Sequence, residues 1–117
     1  MIRTKRRFPL LQEGIYDFAL SRKPKLATSR DGSYEFYVFD FTVYDRRGFR
    51  HDFRDFFFPN EDRLREVLLA LGGEENDEGE VELDEEEALS KSFKARIKHV
   101  KIKGKTRARI GEIIRER

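Results

Sequence analysis

Eleven of the chain's fifteen aromatic residues lie between Tyr34 and Phe58, in two runs, Tyr34 to Tyr44 and Phe49 to Phe58, separated by Asp45-Arg-Arg-Gly48. That is more ring surface than one small core takes up, so some of the rings are expected to be exposed for use. Rings on an open face, flanked by Arg and Lys, make a platform on which nucleic-acid bases stack while the cations hold the phosphates. Tyr34, Phe36 and Tyr44 are the candidate stacking residues. Arg50 and Arg54, in the neighbouring run, are the candidates for phosphate contacts or for guanidinium stacking on bases. The competing reading is that the rings pack under loops or in a contact between proteins, since an exposed apolar patch marks a contact of some kind.

Two further groups of cations accompany the rings: Arg22, Lys23, Lys25 and Arg30 ahead of the first run, and Lys101, Lys103, Lys105, Arg107 and Arg109 late in the chain. Solvated charge is the usual fate of such residues, but their concentration in two segments favours phosphate binding, with an affinity that falls steeply with salt. Arg3-Thr-Lys-Arg-Arg7 is a less specific basic arm, either a tail or a further phosphate contact. The net charge of +2 conceals a separation into blocks: residues 1 to 58 carry +4, residues 59 to 89 carry −11 and residues 90 to 117 carry +9. For the acidic stretch Glu74 to Glu87 the readings are a solvated loop, a cover over the basic groove, or a docking surface for a basic protein partner.

Catalysis finds little support. His51 and His99 are isolated, there is no cysteine, and no Gly-rich phosphate loop or Gly-x-Ser-x-Gly elbow occurs. Asp40, Asp52 and Asp55 fall on neighbouring strands and would suit Mg²⁺, but cross-strand pairing with Arg50 and Arg54 is the commoner arrangement. The expectation is a protein that is not an enzyme and takes no cofactor or metal.

The elements that position these residues can be read from pattern. At 117 residues the chain makes one domain with a modest core. Residues 1–12 read as the basic arm and 13–117 as the folded domain. Gly14 to Leu20 reads as a first strand, Ser21 to Ser33 as a long connection closing on the Asp31-Gly32 turn, and Tyr34 to Tyr44 as a second strand. In that strand Tyr37, Phe39, Phe41 and Val43 are uniformly apolar and belong to the core, which leaves Tyr34, Phe36, Val38, Asp40, Thr42 and Tyr44 outside. Phe49 to Phe58 returns as a third strand whose parity conflicts, because Phe53 and Phe57 share one face and Phe56 and Phe58 the other; a bulge would reconcile them. Glu61 to Leu71 is a helix capped by Asn60, with Leu64, Val67, Leu68 and Leu71 as its core stripe and Gly72 as its stop. Glu74 to Glu80 is an acidic loop, and Asp84 to Leu89 a short helical turn. Phe93 to Ile102 and Thr106 to Ile114 are the last two strands, joined at Lys103-Gly104-Lys105, with a bulge expected near Lys98 and His99.

Five strands with one helix between the third and fourth is the order of the OB-fold, a mainly β, five-stranded Greek-key barrel that takes ligands across strands two and three. The loops that flank this ligand face are the basic ones here. Gly14-Ile-Tyr16, Ser33-Tyr-Glu-Phe-Tyr37, Val43-Tyr-Asp45, Gly48 with the strand after it, Pro59-Asn60 before a Leu-rich helix, Ala70-Leu-Gly72, and a late basic segment ending in alternating Ile together give a pattern. From Glu13 onward it resembles that of small phage and prophage proteins described as presumed single-stranded DNA-binding proteins. The chain departs from it in Lys91-Ser92, where Gly-Lys is expected, and in its longer acidic loop. The resemblance implies protection or presentation of single strands during DNA replication or recombination. The composition, 41% charged with one Met and no Cys, leans towards a heat-adapted organism. It is also compatible with a reducing cytoplasm, in a bacterial or archaeal cell or a phage-infected host. The expected function is sequence-tolerant binding of single-stranded DNA. RNA is an alternative ligand, because no pattern here selects on a 2′-hydroxyl. The alternative function is a protein-interaction module that uses the aromatic face for self-association or for a partner.

Overall fold

The structure is a computed structural model that describes residues 1, 2 and 10 to 115; the arm residues Arg3 to Arg7 lie outside the described residues. Its elements in chain order are β1 (Gly14–Leu20), β2 (Lys25–Thr28), β3 (Glu35–Tyr44), β4 (Arg50–Phe57), α1 (Asp62–Ala70), β5 (Glu74–Glu75), β6 (Val81–Glu82), α2 (Glu85–Ala88), β7 (Ser92–Ile102) and β8 (Lys105–Ile114). The five expected strands are β1, β3, β4, β7 and β8. Two pieces lie where only loops were expected: β2 inside the first connection, and the β5–β6 hairpin inside the acidic segment.

The architecture is a mainly antiparallel sheet in the order β2-β3-β1-β7-β8, with β4 on β3. β1 pairs with Phe41 to Tyr44 and β2 with Glu35 to Val38, so the two share one edge of β3 while β4 takes the other. No backbone ladder joins β4 to β8, and the sheet is therefore not closed into a barrel. Side chains bridge the gap instead. Asp55 accepts from the Ile110 N–H at 2.8 Å, and Arg63 donates to the Ile110 carbonyl at 2.8 Å and to Asp55 at 3.0 Å. Arg109 donates to Asp55 at 3.0 Å and to the carbonyl of Phe56.

The β3–β4 ladder runs without a break from Tyr37↔Phe57 to Tyr44↔Arg50, so the bulge expected in the third strand is not there. Strict alternation sends Phe53, Asp55 and Phe57 inward and Arg54 and Phe56 outward. The mixed parity arose because an inward position carries a carboxylate, Asp55, while outward positions carry Phe. The expected bulge near Lys98 and His99 lies earlier, where Arg96 faces both Gly111 and Glu112 between the pairs Ala95↔Ile113 and Ile97↔Ile110.

Phe18, Phe39, Phe41, Phe53, Phe57 and Phe93 fill the core with Leu64 and Val67 of α1 and Leu71 at its C-terminal cap. Their rings meet edge-on or stacked, as in Phe18 against Phe93 at 5.2 Å and Phe39 against Phe57 at 5.1 Å. Leu11 is also buried, and the carbonyl of Leu11 bonds His99 Nε2 at 2.7 Å, so the folded body begins before residue 13. The cap of α1 is Glu61 rather than Asn60, and the Glu61 carboxylate accepts from the Phe58 N–H and Arg63 Nε instead of from the helix. In α2 the Asp84 carboxylate caps the N–H groups of Glu86 and Glu87 as expected of an N-terminal Asp.

Candidate nucleic-acid interface

The open seam between β4 and β8 is the floor of a groove of about 660 Å³. One wall is a ridge of four rings. Phe58 and Phe36 each meet Tyr34, at 5.5 and 6.0 Å between ring centres, and Phe36 meets Phe56 at 5.8 Å. Alternation puts these rings outside, because Phe39, Phe41, Phe53 and Phe57 already occupy the inner face. Tyr34, Phe56 and Phe58 are between 42% and 50% exposed, so their faces are open to a ligand. Phe36, paired with Ala27 of β2, is half-buried.

The opposite wall is the β7–β8 hairpin, through Ile102, Thr106, Arg107 and Ala108. Its turn is made by Lys103 (φ 50°) and Gly104 (φ 79°), both in the left-handed region, the arrangement that two-residue hairpin turns require. The turn holds Lys101, Lys103 and Lys105 exposed at the end of the groove.

The structure spreads the expected binding residues over several places. Tyr34, Phe36, Arg54 and Arg107 line the groove, and Lys101, Lys103 and Lys105 are outside its lining but exposed in the hairpin next to the lining residues Ile102 and Thr106. Lys25, paired with Val38, shares the outer face of β3, and Arg30 sits in the Ser29–Ser33 turn that leads into Tyr34. Tyr44 and Arg50 are not part of the groove: they form a cross-strand pair at the far end of the ladder, and Tyr44 is roughly 26 Å along the strand from Phe36.

Ion pairing separates the cations further. Arg54 is held by Asp40, its cross-strand neighbour, through contacts of 2.6 and 3.1 Å, and this partner raises the pKa of the guanidinium. Arg22 adds a second cation to the same carboxylate at 3.4 Å, and Asp40 is 6% exposed beneath them. Lys23 pairs with Glu86, whose hydrogen bond raises the pKa of the ammonium. Lys23 is thereby compensated, whereas Arg22 and Arg54 share the single Asp40 carboxylate, so that cluster keeps one net positive charge. Arg109 is likewise committed, to Asp55. Arg107 makes no ion pair among the described residues, and it is the groove-lining cation that a phosphate would find unneutralised.

Phe56, Phe58, Ile102 and Thr106 were not among the residues expected at the site. Phe56 and Phe58 carried the signal, since they share the parity of Arg54, but the supposed bulge concealed it. Asp40, Asp52 and Asp55 do not converge: Asp40 and Asp52 face outward and Asp55 inward. Among the described residues no group of three or more His, Asp or Glu side chains is placed to hold a metal ion. The acidic hairpin packs on α1, where Arg65 bonds Glu75 at 2.7 Å and the Gly79 carbonyl at 2.8 Å, and it contributes nothing to the groove wall. No helix among the described residues is long and apolar enough to cross a membrane. Comparison of the chain with models of protein families and with curated proteins found no match.

Proposed function

We propose that the protein binds single-stranded DNA with little sequence preference, as a partly open OB-like domain. Bases stack on the ridge formed by Phe58, Tyr34, Phe36 and Phe56, and Arg107 with the hairpin lysines holds the phosphates. The observation that carries this reading is the four-ring ridge facing an unpaired arginine across a groove. Every base has a face to stack, so such a platform is tolerant of sequence. Taking β1 with β2 as one bent strand, the long strands follow the order of an OB-fold, which supports the architectural part of the proposal. A role in replication or recombination, as in the phage proteins that the sequence resembles, belongs to the same proposal, and RNA is the alternative ligand.

Fluorescence anisotropy with a labelled mixed-sequence oligonucleotide of about 30 nucleotides, single-stranded and duplex, at low and moderate salt, tests the reading. Tight, salt-sensitive binding that favours the single strand is expected, and absence of binding at low salt would overturn it. Leu10 and Ile102, exposed aliphatic side chains beside the rings, favour a second reading in which the groove takes a protein partner or a second copy of the chain. Association through such a surface would hardly weaken with salt.

A further inference from the structure

A second cleft, of about 620 Å³, lies between α1, the β5–β6 hairpin and the first half of β3. Its floor is apolar, formed by Tyr37, Leu64, Leu68, Val81 and Leu83, of which Tyr37, Leu68 and Leu83 are only partly buried against the core. Its rim is acidic, through Asp62, Glu80 and Glu85. Arg65, the one basic residue among those lining the cleft, is already bound to Glu75 and to the Gly79 carbonyl. Asp62 and Glu80 make no ion pair among the described residues. The cleft thus combines unneutralised carboxylates with exposed apolar surface, within a segment that carries −11.

Several features give the cleft a defined shape. Asn76 closes the hairpin by accepting from the N–H groups of Glu78 and Glu80, and Arg65 ties it to α1. Gly73 lets the hairpin approach the helix: a Cβ there would fall 2.7 Å from the Leu68 carbonyl and 2.9 Å from Val81. Glu74 and Glu82 stand directly opposite each other in the hairpin, a like-charge pair that disfavours it. Neither of the two lines the cleft, and a cationic occupant would neutralise the rim.

We propose that this cleft docks a short basic segment of a partner protein, one in which lysine or arginine alternates with large apolar side chains. The apolar side chains cover the floor and the cations meet Asp62, Glu80 and Glu85. Charge complementarity decides the class of occupant: an acidic or nucleic-acid ligand would be repelled by the rim, and a purely polar one would leave the floor uncovered. This inference is independent of the aromatic groove, which the cleft meets only at Glu61.

The test uses the full chain, labelled with nitrogen-15, and a fluorescein-labelled twelve-residue peptide of alternating lysine and leucine. A lysine–serine peptide of the same length and charge serves as comparison. The expected result is amide shift changes confined to Tyr37 and Phe39 and to residues 62 to 68 and 79 to 85. Affinity should fall about tenfold for the lysine–serine peptide, and about tenfold again for the lysine–leucine peptide on the Asp62→Asn, Glu80→Lys double variant, as loss of exposed charge contacts allows. Both substituted residues are exposed, so the fold is retained. Shift changes centred elsewhere, equal binding of the two peptides, or undiminished binding to the variant would overturn the proposal. Oligonucleotide binding by the same variant reads the aromatic groove separately.

Discussion

Residue chemistry separates side chains that look alike in the sequence. Arg54 and Arg107 both line the groove, yet the first is bound to Asp40, which it shares with Arg22, and no described carboxylate pairs with the second. Arg107→Ala should therefore flatten the log–log salt dependence of oligonucleotide affinity by about 0.7 to 1. Arg54→Ala should flatten that slope less, since two hydrogen bonds to Asp40 hold its guanidinium away from a phosphate, and lower stability by about 1 to 3 kcal/mol, because the buried Asp40 would lose those two bonds and keep the longer Arg22 contact of 3.4 Å. Paired salt titrations and thermal melts distinguish the two, and equal slopes for both variants would refute the division. Asp31 offers a second check. The Ser33 hydroxyl, the Ser33 N–H and the Ser29 hydroxyl all donate to its carboxylate and lower its pKa to about 2. A depressed carboxyl stabilises the fold above its ordinary range and loses that contribution as pH falls through the folded value. Following the Asp31 carboxyl carbon by NMR should give a midpoint near 2, whereas a midpoint in the ordinary carboxylate range would mean that the turn ahead of Tyr34 is not held this way.

Between elements, the question is what keeps β4 and β8 together without a ladder. Asp55, 2% exposed, receives Arg63, Arg109 and the Ile110 N–H, and Arg63 also lies 4.5 Å over the Phe57 ring. Removing the carboxylate would take the acceptor from the Ile110 and Phe56 N–H groups and leave two partly buried guanidinium groups with Glu61 as their remaining carboxylate. Asp55→Ala should cost about 3 to 5 kcal/mol in chemical denaturation. A loss below about 1 kcal/mol, the scale of an exposed pair, would show that core packing alone holds the seam. On the other side of this clasp the two strand edges diverge into the groove, so the same residues that fasten the sheet also fix where the groove begins. Strand alternation made much of this legible: Tyr37, Phe39, Phe41 and Val43 face inward, and the Leu64 stripe of α1 meets them. Asp55 was not legible as a core residue, because a carboxylate in a strand reads as outward until its two arginines, 8 and 54 positions away in sequence, are brought to it.

Across the whole molecule, charge is sorted in space. The acidic block folds onto α1 and its own cleft, and Arg107 lines the groove with Lys101, Lys103 and Lys105 exposed in the adjoining hairpin turn. If these four cations each replace one counterion of a bound single strand, at about 0.7 each, affinity should fall with a log–log slope of about −3. A slope near zero would point to the apolar, protein-binding reading, and a much steeper one to further basic residues joining the site. The sequence by itself determined the clustering of rings, the separation of charge, the mainly β character and the helix after Pro59-Asn60, because each depends on residues close together in the chain. Only the tertiary structure decided which cations are free, that Tyr44 and Arg50 stand apart from Tyr34 and Phe36, that Phe56 and Phe58 complete the ridge, and that the sheet stays open beside β4. Those outcomes rest on pairs such as Arg54 with Asp40, Lys23 with Glu86 and Arg109 with Asp55, whose partners lie far apart in the chain and meet only when the strands are in register.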